Sequence, residues 1–124
     1  MNQLSPLTVP LVASGVVPVF EGFGADDPMW QGAGARSVSV EVAFAMPFAA
    51  PPHVQVAVST LDADQSRNLR YRLEVEDVGR KSFLVTSHVW DDTRIGRLAV
   101  SWIAIGEQAA GTGPGRAGRS RAKR

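Results

Sequence analysis

Cysteine is absent from the 124 residues, which excludes a disulfide framework, a thiolate metal site and a cysteine nucleophile. Histidine is nearly absent. His53 and His88 are the two present, and they lack the His-Glu-x-x-His type of spacing that a transition-metal site needs. Both lie in runs that alternate like strands, so they read as structural histidines. Asp91-Asp92 is too little for a calcium loop. No Gly-x-Ser-x-Gly elbow occurs, and no serine, histidine and carboxylate are spaced as a triad. Gly22-Phe23-Gly24 and Gly32-Ala33-Gly34 lack the lysine and helix that follow a phosphate-cradling loop and read as turns. Asp62, Asp64, Asp91 and Asp92 are carboxylates of the kind that flank a scissile glycosidic bond. The chain nevertheless offers no groove-forming helix or large barrel to set them across one. No catalytic residue, metal or cofactor is therefore expected.

Long apolar runs are also missing. Met1 to Pro18 is apolar only in patches, is interrupted by Pro6, Pro10 and Pro18 and has no basic leader, so neither a membrane span nor a Sec-type signal peptide is read there. With 44% hydrophobic and 20% charged residues, the composition is that of one globular domain. Its net charge of +1 conceals two parts. Residues 1–107 hold eight Lys or Arg against twelve Asp or Glu, whereas 108–124 hold five basic residues and no acid. Glycine and proline throughout that tail, with like charges repelling, predict a disordered segment. It serves either as a solubilising end or as an electrostatic arm for a partner, and it is the one part through which nucleic acid is conceivable.

What the chain has in quantity is strand pattern. Apolar residues recur with period two at Val38, Val40, Val42 and Phe44, then Val54, Val56 and Val58, then Tyr71, Leu73 and Val75, then Phe83, Val85 and Val89. Turn formers separate these runs: Met46 to Pro52, Asp62 to Asn68, Asp77 to Lys81, and Asp91 to Gly96. No segment has a clear helical period. In the last run, Leu98, Val100 and Trp102 point one way while Ala99, Ile103 and Ile105 point the other, so both faces are apolar. A neighbouring subunit is the simplest second cover, and a central strand under a loop is the alternative.

One constellation goes further. Phe44 and Pro47-Phe48 precede Pro51-Pro52. They are followed by Leu61-Asp62-Ala63-Asp64-Gln65-Ser66-Arg67-Asn68-Leu69-Arg70, by Trp90-Asp91-Asp92-Thr93 and by Val100-Ser101-Trp102-Ile103-Ala104-Ile105-Gly106. This order and spacing resembles the H-type lectin domain of the snail agglutinin and discoidin family, from about Ser14 to Glu107. The resemblance implies an all-β, six-stranded antiparallel β-sandwich over 14–107. It would have an irregular N-terminal extension at 1–13 and a disordered basic tail at 108–124. It also implies homotrimers or multiples of them, and inter-subunit sites for galactose, N-acetylgalactosamine or related surface glycans. By the same resemblance Arg70, Trp90 and Asp91 are the carbohydrate-binding residues. An arginine fork for hydroxyls beside an aromatic face for the C–H side of a sugar is sound chemistry. The plainer readings are an ion pair of Arg70 with Asp62 or Asp64, and a structural ring at Trp90. Trp102 reads as core or trimer packing.

Two departures bear on the ligand. Gly96 stands where the snail-type lectins present an aromatic ring. The stretch Trp30-Gln31-Gly32-Ala33 is neutral where a neighbouring subunit would supply an acid, unless Asp26 or Asp27 takes that part; Trp30 reads as a buried loop anchor, with supply of the missing ring as the alternative. The expected role is multivalent recognition of a cell surface, extracellular or virion-associated, with an assembly partner conceivable through the termini. The alternative is a trimerisation module of a larger particle that no longer binds sugar.

Overall fold

The computed structural model describes residues 9–109. The elements in chain order are β1 (Pro10–Glu21), α1 (Pro28–Gln31), β2 (Arg36–Ala43), β3 (His53–Ala63), β4 (Tyr71–Glu76), β5 (Ser82–Val89) and β6 (Ile95–Glu107). The strands form two antiparallel sheets, a front sheet in the order β1-β6-β3 and a back sheet in the order β2-β5-β4. The all-β, six-stranded antiparallel sandwich expected from the resemblance is thus the observed fold.

Alternation explains the sandwich. In β5, Phe83, Val85 and Val89 are buried while Leu84 and His88 turn outward, and the register sets Val40 against Val85 and Val75 against Val85. In β6, Leu98, Val100 and Ala104 are wholly buried, facing the back sheet as their period-two spacing requires. Phe44, Phe48, Phe83 and Trp102 pack as one aromatic cluster with ring centroids 4.9–5.9 Å apart. Each such side chain removed from water contributes roughly 1.5–3 kcal/mol. Gly15 lies opposite Trp102 in the register. A Cβ there would stand 3.0 Å from the indole Nε1, so the glycine makes room for the ring.

β1 is the strand that the pattern concealed. Ordered chain begins well before the expected domain start at Ser14, because β1 starts at Pro10 and pairs along its length with β6, Pro10 to Glu107 and Val17 to Val100. Its outward residues include Val12 and Val16 as well as Ser14, so polarity does not alternate. Pro10 and Pro18 read as breakers although they are tolerated on an edge strand. The short α1 likewise has no helical period to reveal it. Gly32 follows it in the left-handed region at φ 78° and ends it. Residues 1–8 of the extension expected at 1–13, and 110–124 of the basic tail expected at 108–124, lie outside the described residues.

Candidate functional site

Three loops meet at one end of the sandwich: 22–35 between β1 and β2, 64–70 between β3 and β4, and 90–94 between β5 and β6. Backbone bonds pin them together. The N–H of Gly34 donates to the Asp91 carbonyl at 3.0 Å, that of Gly22 to Gly96 at 2.8 Å, and that of Asp64 to Arg94 at 2.9 Å. Arg36 adds a clamp, its guanidinium donating to the carbonyls of Gly34 (2.8 Å), Pro28 (3.0 Å) and Asp91 (3.2 Å). Burial pulls its pKa below the ordinary arginine value.

Arg70, Trp90 and Asp91 are brought together on this end. Arg70 immediately precedes β4 and Trp90 immediately follows β5; the Trp90 N–H donates to the Arg70 carbonyl at 3.3 Å. Arg70 Nε stands 3.6 Å from Asp91 Oδ2, with the two side chains 53% and 57% exposed. Its acidic neighbour is therefore Asp91 and not Asp62 or Asp64. Asp64 pairs with Arg94 at 3.3 Å. Trp90 is 38% exposed, a ring left partly in solvent. Asp91 adopts φ 64°, a left-handed conformation that aspartate tolerates better than most residues. Its carbonyl is held from two sides by Gly34 and Arg36. The arrangement offers a planar donor fork, an acceptor carboxylate and an apolar ring face within one patch.

Thr93 holds the patch in place. It is wholly buried; its Oγ1 donates to the Asn68 carbonyl at 2.9 Å and accepts from the Arg70 N–H at 2.8 Å. One hydroxyl thereby ties the 64–70 loop to the 90–94 loop. The threonine is visible in Trp90-Asp91-Asp92-Thr93, but its role depends on a contact 23 residues back in the chain. The role of Arg36 has no signal in its neighbours at all.

Gly96 is not an empty place. A Cβ built on it would fall 1.9 Å from Cε2 of Phe23, so the Phe23 ring lies over the glycine and occupies the space of a side chain there. Phe23 is 42% exposed and meets Trp30 edge-on at 5.1 Å. Trp30 is half-buried rather than buried, with the Arg94 guanidinium 4.8 Å above its ring and its carbonyl accepting from Arg94 Nε at 2.7 Å. Asp27 is spent locally, accepting from the Gly24 N–H at 2.8 Å, whereas Asp26 is exposed.

Of the histidines, His88 bonds Glu74 at 2.9 Å and His53 is exposed on β3. Among the described residues no group of histidines and carboxylates is placed to hold a metal ion. No helix there is long and apolar enough to cross a membrane.

Known proteins bear on this geometry. The model of a family described as the H-type lectin domain matches residues 39–105, a span that includes Arg70, Trp90 and Asp91. A protein of Fuscovulum blasticum named "ATP synthase subunits region ORF 7" is 35% identical over 88 residues, covering 71% of this chain and 76% of that one. Two solved structures of discoidin II from Dictyostelium discoideum, one recombinant and one wild-type, share the fold. They match with a TM-score of 0.68 and 21% identity, over 86% of this chain and 40% of theirs. The chain thus spans well under half the length of discoidin II.

Proposed function

Because the chain belongs to the H-type lectin domain family, we propose that it is a non-catalytic carbohydrate-binding module whose site is built on Arg70, Trp90 and Asp91. The observation that carries this reading is their convergence: an ion-paired guanidinium and carboxylate 3.6 Å apart beside a partly exposed indole. The Arg70 fork and the Asp91 carboxylate take neighbouring hydroxyls, and the C–H face of a galactose- or N-acetylgalactosamine-like ring packs on Trp90. Asp26, exposed and without a partner among the described residues, is free to complete the site of a neighbouring protomer.

A homotrimer is part of the proposal. The outer face of the front sheet carries Val12 (58% exposed), Val16 (65%), Ile103 and Ile105. Positions 12–18, 99–105 and 53–57 that point outward include no Lys, Arg, Asp or Glu. An uncharged face on which these aliphatic side chains alternate with Ser14, Gln55 and Ser101 is suited to a protein cover. Single sites of this kind bind at roughly millimolar to micromolar strength, and several on one assembly gain affinity by avidity. The role that follows is adhesion to, or recognition of, a glycan-bearing surface, from an extracellular or virion-associated position.

The apolar face also favours a second reading, a trimerisation module of a larger particle without sugar binding. A glycan array separates the two, read with the full-length protein beside an Arg70→Ala/Trp90→Ala variant of unchanged mass by light scattering. Binding that the variant loses supports the lectin. Silence from the parent with an intact oligomer supports the structural module.

A further inference from the structure

The candidate sugar site continues down the outer face of the back sheet. Arg72 pairs with His88 and Ser37 pairs with His88 in the register, so Ser37, His88 and Arg72 stand side by side across β2, β5 and β4. Arg70 precedes Arg72 by two residues, and Trp90 follows His88 by two. Side chains two apart along a strand share a face about 7 Å apart. The Arg70–Trp90 pair, joined through the Trp90 N–H at 3.3 Å, therefore sits one row above the Arg72–His88 pair. Below Trp90 the row encloses an open hollow of about 310 Å³ lined by Arg36, Ser37, Arg72, His88 and Trp90 among others.

The hollow differs in charge from the rest of the domain. Residues 1–107 carry an excess of four acids, yet the two rows and their rim hold Arg36, Arg70 and Arg72 against Glu74 and Asp91. Among the described residues Arg36 is bonded only to carbonyls, so no carboxylate there cancels its charge. Glu74 is shared by Arg72 Nε at 3.4 Å and His88 Nε2 at 2.9 Å. The terminal nitrogens of Arg72 make no hydrogen bond among the described residues, and its side chain is 57% exposed. An ion pair this exposed is weak and readily exchanged for a better acceptor. Further along, the face turns acidic with Glu41 and Glu76, which confines the positive region to the end beside Trp90.

We propose that this hollow is a second subsite, in which Arg72, His88 and Ser37 receive the anionic group, carboxylate or sulfate, of an acidic sugar linked to the residue held at Arg70 and Trp90. Arg72 turns its terminal nitrogens from solvent to the anion as a planar fork. Ser37 donates its hydroxyl, and His88 closes the base of the pocket. Trp90 stands between the two subsites and packs against both sugar units. The inference rests on the sugar-binding reading of Arg70, Trp90 and Asp91.

The test is a glycan array of matched pairs, each core presented neutral, capped with a carboxylate sugar, or sulfated, read with the full chain and with Arg72→Gln and His88→Gln variants of unchanged mass. The parent is expected to favour acidic members over their neutral partners by about tenfold, and Arg72→Gln to abolish that preference while neutral binding persists. Carboxylate and sulfate arms then tell which substituent is taken. Equal binding of neutral and acidic partners overturns the subsite and leaves the lectin standing. A preference that survives in both variants also overturns it, and assigns the charge effect to the basic tail or to Arg70. Failure of the parent to bind any member overturns both readings.

Discussion

The N–H of Trp90 donates to the carbonyl of Arg70 at 3.3 Å, continuing the β4–β5 ladder one step beyond its last paired residues. The indole and the guanidinium are thereby fixed as cross-strand neighbours, and no loop rearrangement is needed to bring them together. Arg70 and Trp90 sit where their loops join the strand ends, which keeps that part of the binding geometry in place. Arg70→Lys keeps the charge and removes the fork. Since its ion pair with Asp91 is more than half exposed, the substitution should leave stability nearly unchanged. Sugar binding by titration calorimetry should weaken by about tenfold, the equivalent of one lost charged hydrogen bond. Unchanged affinity would remove the bidentate contact from the proposal.

Thr93 is the position where stability and binding are joined. Thr93→Val preserves shape and deletes the hydroxyl, leaving the Arg70 N–H and the Asn68 carbonyl without their partner. The cost is about 1–3 kcal/mol for unsatisfied buried groups, or a fall in Tm of about 4–8 °C per kcal/mol for a domain of this size. Sugar affinity should fall with it, because Arg70 loses its backbone anchor. Thr93→Ser, which keeps the hydroxyl, is expected to hold affinity near the parent value. Scanning calorimetry with a binding titration on both variants checks the pair.

Much of the sandwich was legible because β2, β3, β4 and β5 obey period two, with turn formers between them. Phe83, Val85 and Val89 fall on one face by spacing alone; for Leu98, Val100 and Trp102 the spacing gives a shared face, and only the structure shows that Leu98 and Val100 on it are the buried ones. β1 was not legible, since an edge strand against an apolar outer face shows no polarity contrast and its prolines mimic breaks. The site was legible only in its labels. Arg70, Trp90 and Asp91 came from a resemblance, and the tie through Thr93, the clamp by Arg36 and the filling of Gly96 by Phe23 depend on contacts between loops distant in sequence. A glycine reads as an absence in one dimension; here the space above it is supplied from 73 positions earlier, by Phe23.

That substitution in space has a testable sign. Gly96→Ala puts a methyl where the Phe23 ring now lies, 1.9 Å from its Cε2, and must push the ring aside, breaking its edge contact with Trp30. The expected loss is about 0.5–1.5 kcal/mol. In a Phe23→Ala background the same change meets open space and gains from replacing a strand glycine, by about 0.5–1 kcal/mol. A double-mutant cycle by urea denaturation should therefore give a change of sign at Gly96. Additive effects would show that Phe23 does not fill the site.

Among the described residues Asp64 is the carboxylate that contributes to the pH dependence. The carboxylate of Asp64 accepts from the Ser66 hydroxyl at 2.6 Å and its N–H at 2.9 Å. Those bonds, with Arg94 beside it, hold its pKa below the ordinary 3.8. A depressed carboxylate stabilises the fold fully above its unfolded-state value and ceases to do so as pH falls through its folded-state value. The Tm curves of the parent and Asp64→Asn should run apart above about pH 5 and converge toward pH 2. Parallel curves over that window would assign the acid sensitivity elsewhere.

The apolar outer face of the front sheet yields the prediction on which assembly depends. Val16 on β1 and Ile103 on β6 point away from the core, and neither is needed to fill it. A charge placed there should cost the isolated domain little, as surface changes away from special features stay within about 0.5 kcal/mol. If a second copy covers this face, Val16→Lys and Ile103→Glu each bury an unpaired charge in the contact, at a cost of several kcal/mol. The mass by light scattering should then drop to that of one chain. Tm would become independent of protein concentration, because the linkage between association and stability is gone. With monomers in hand, binding of single sugars that survives while binding to dense glycan surfaces collapses would identify avidity as the source of useful affinity. A parent protein already monomeric at micromolar concentration would leave the face to a different chain and refute the homotrimer.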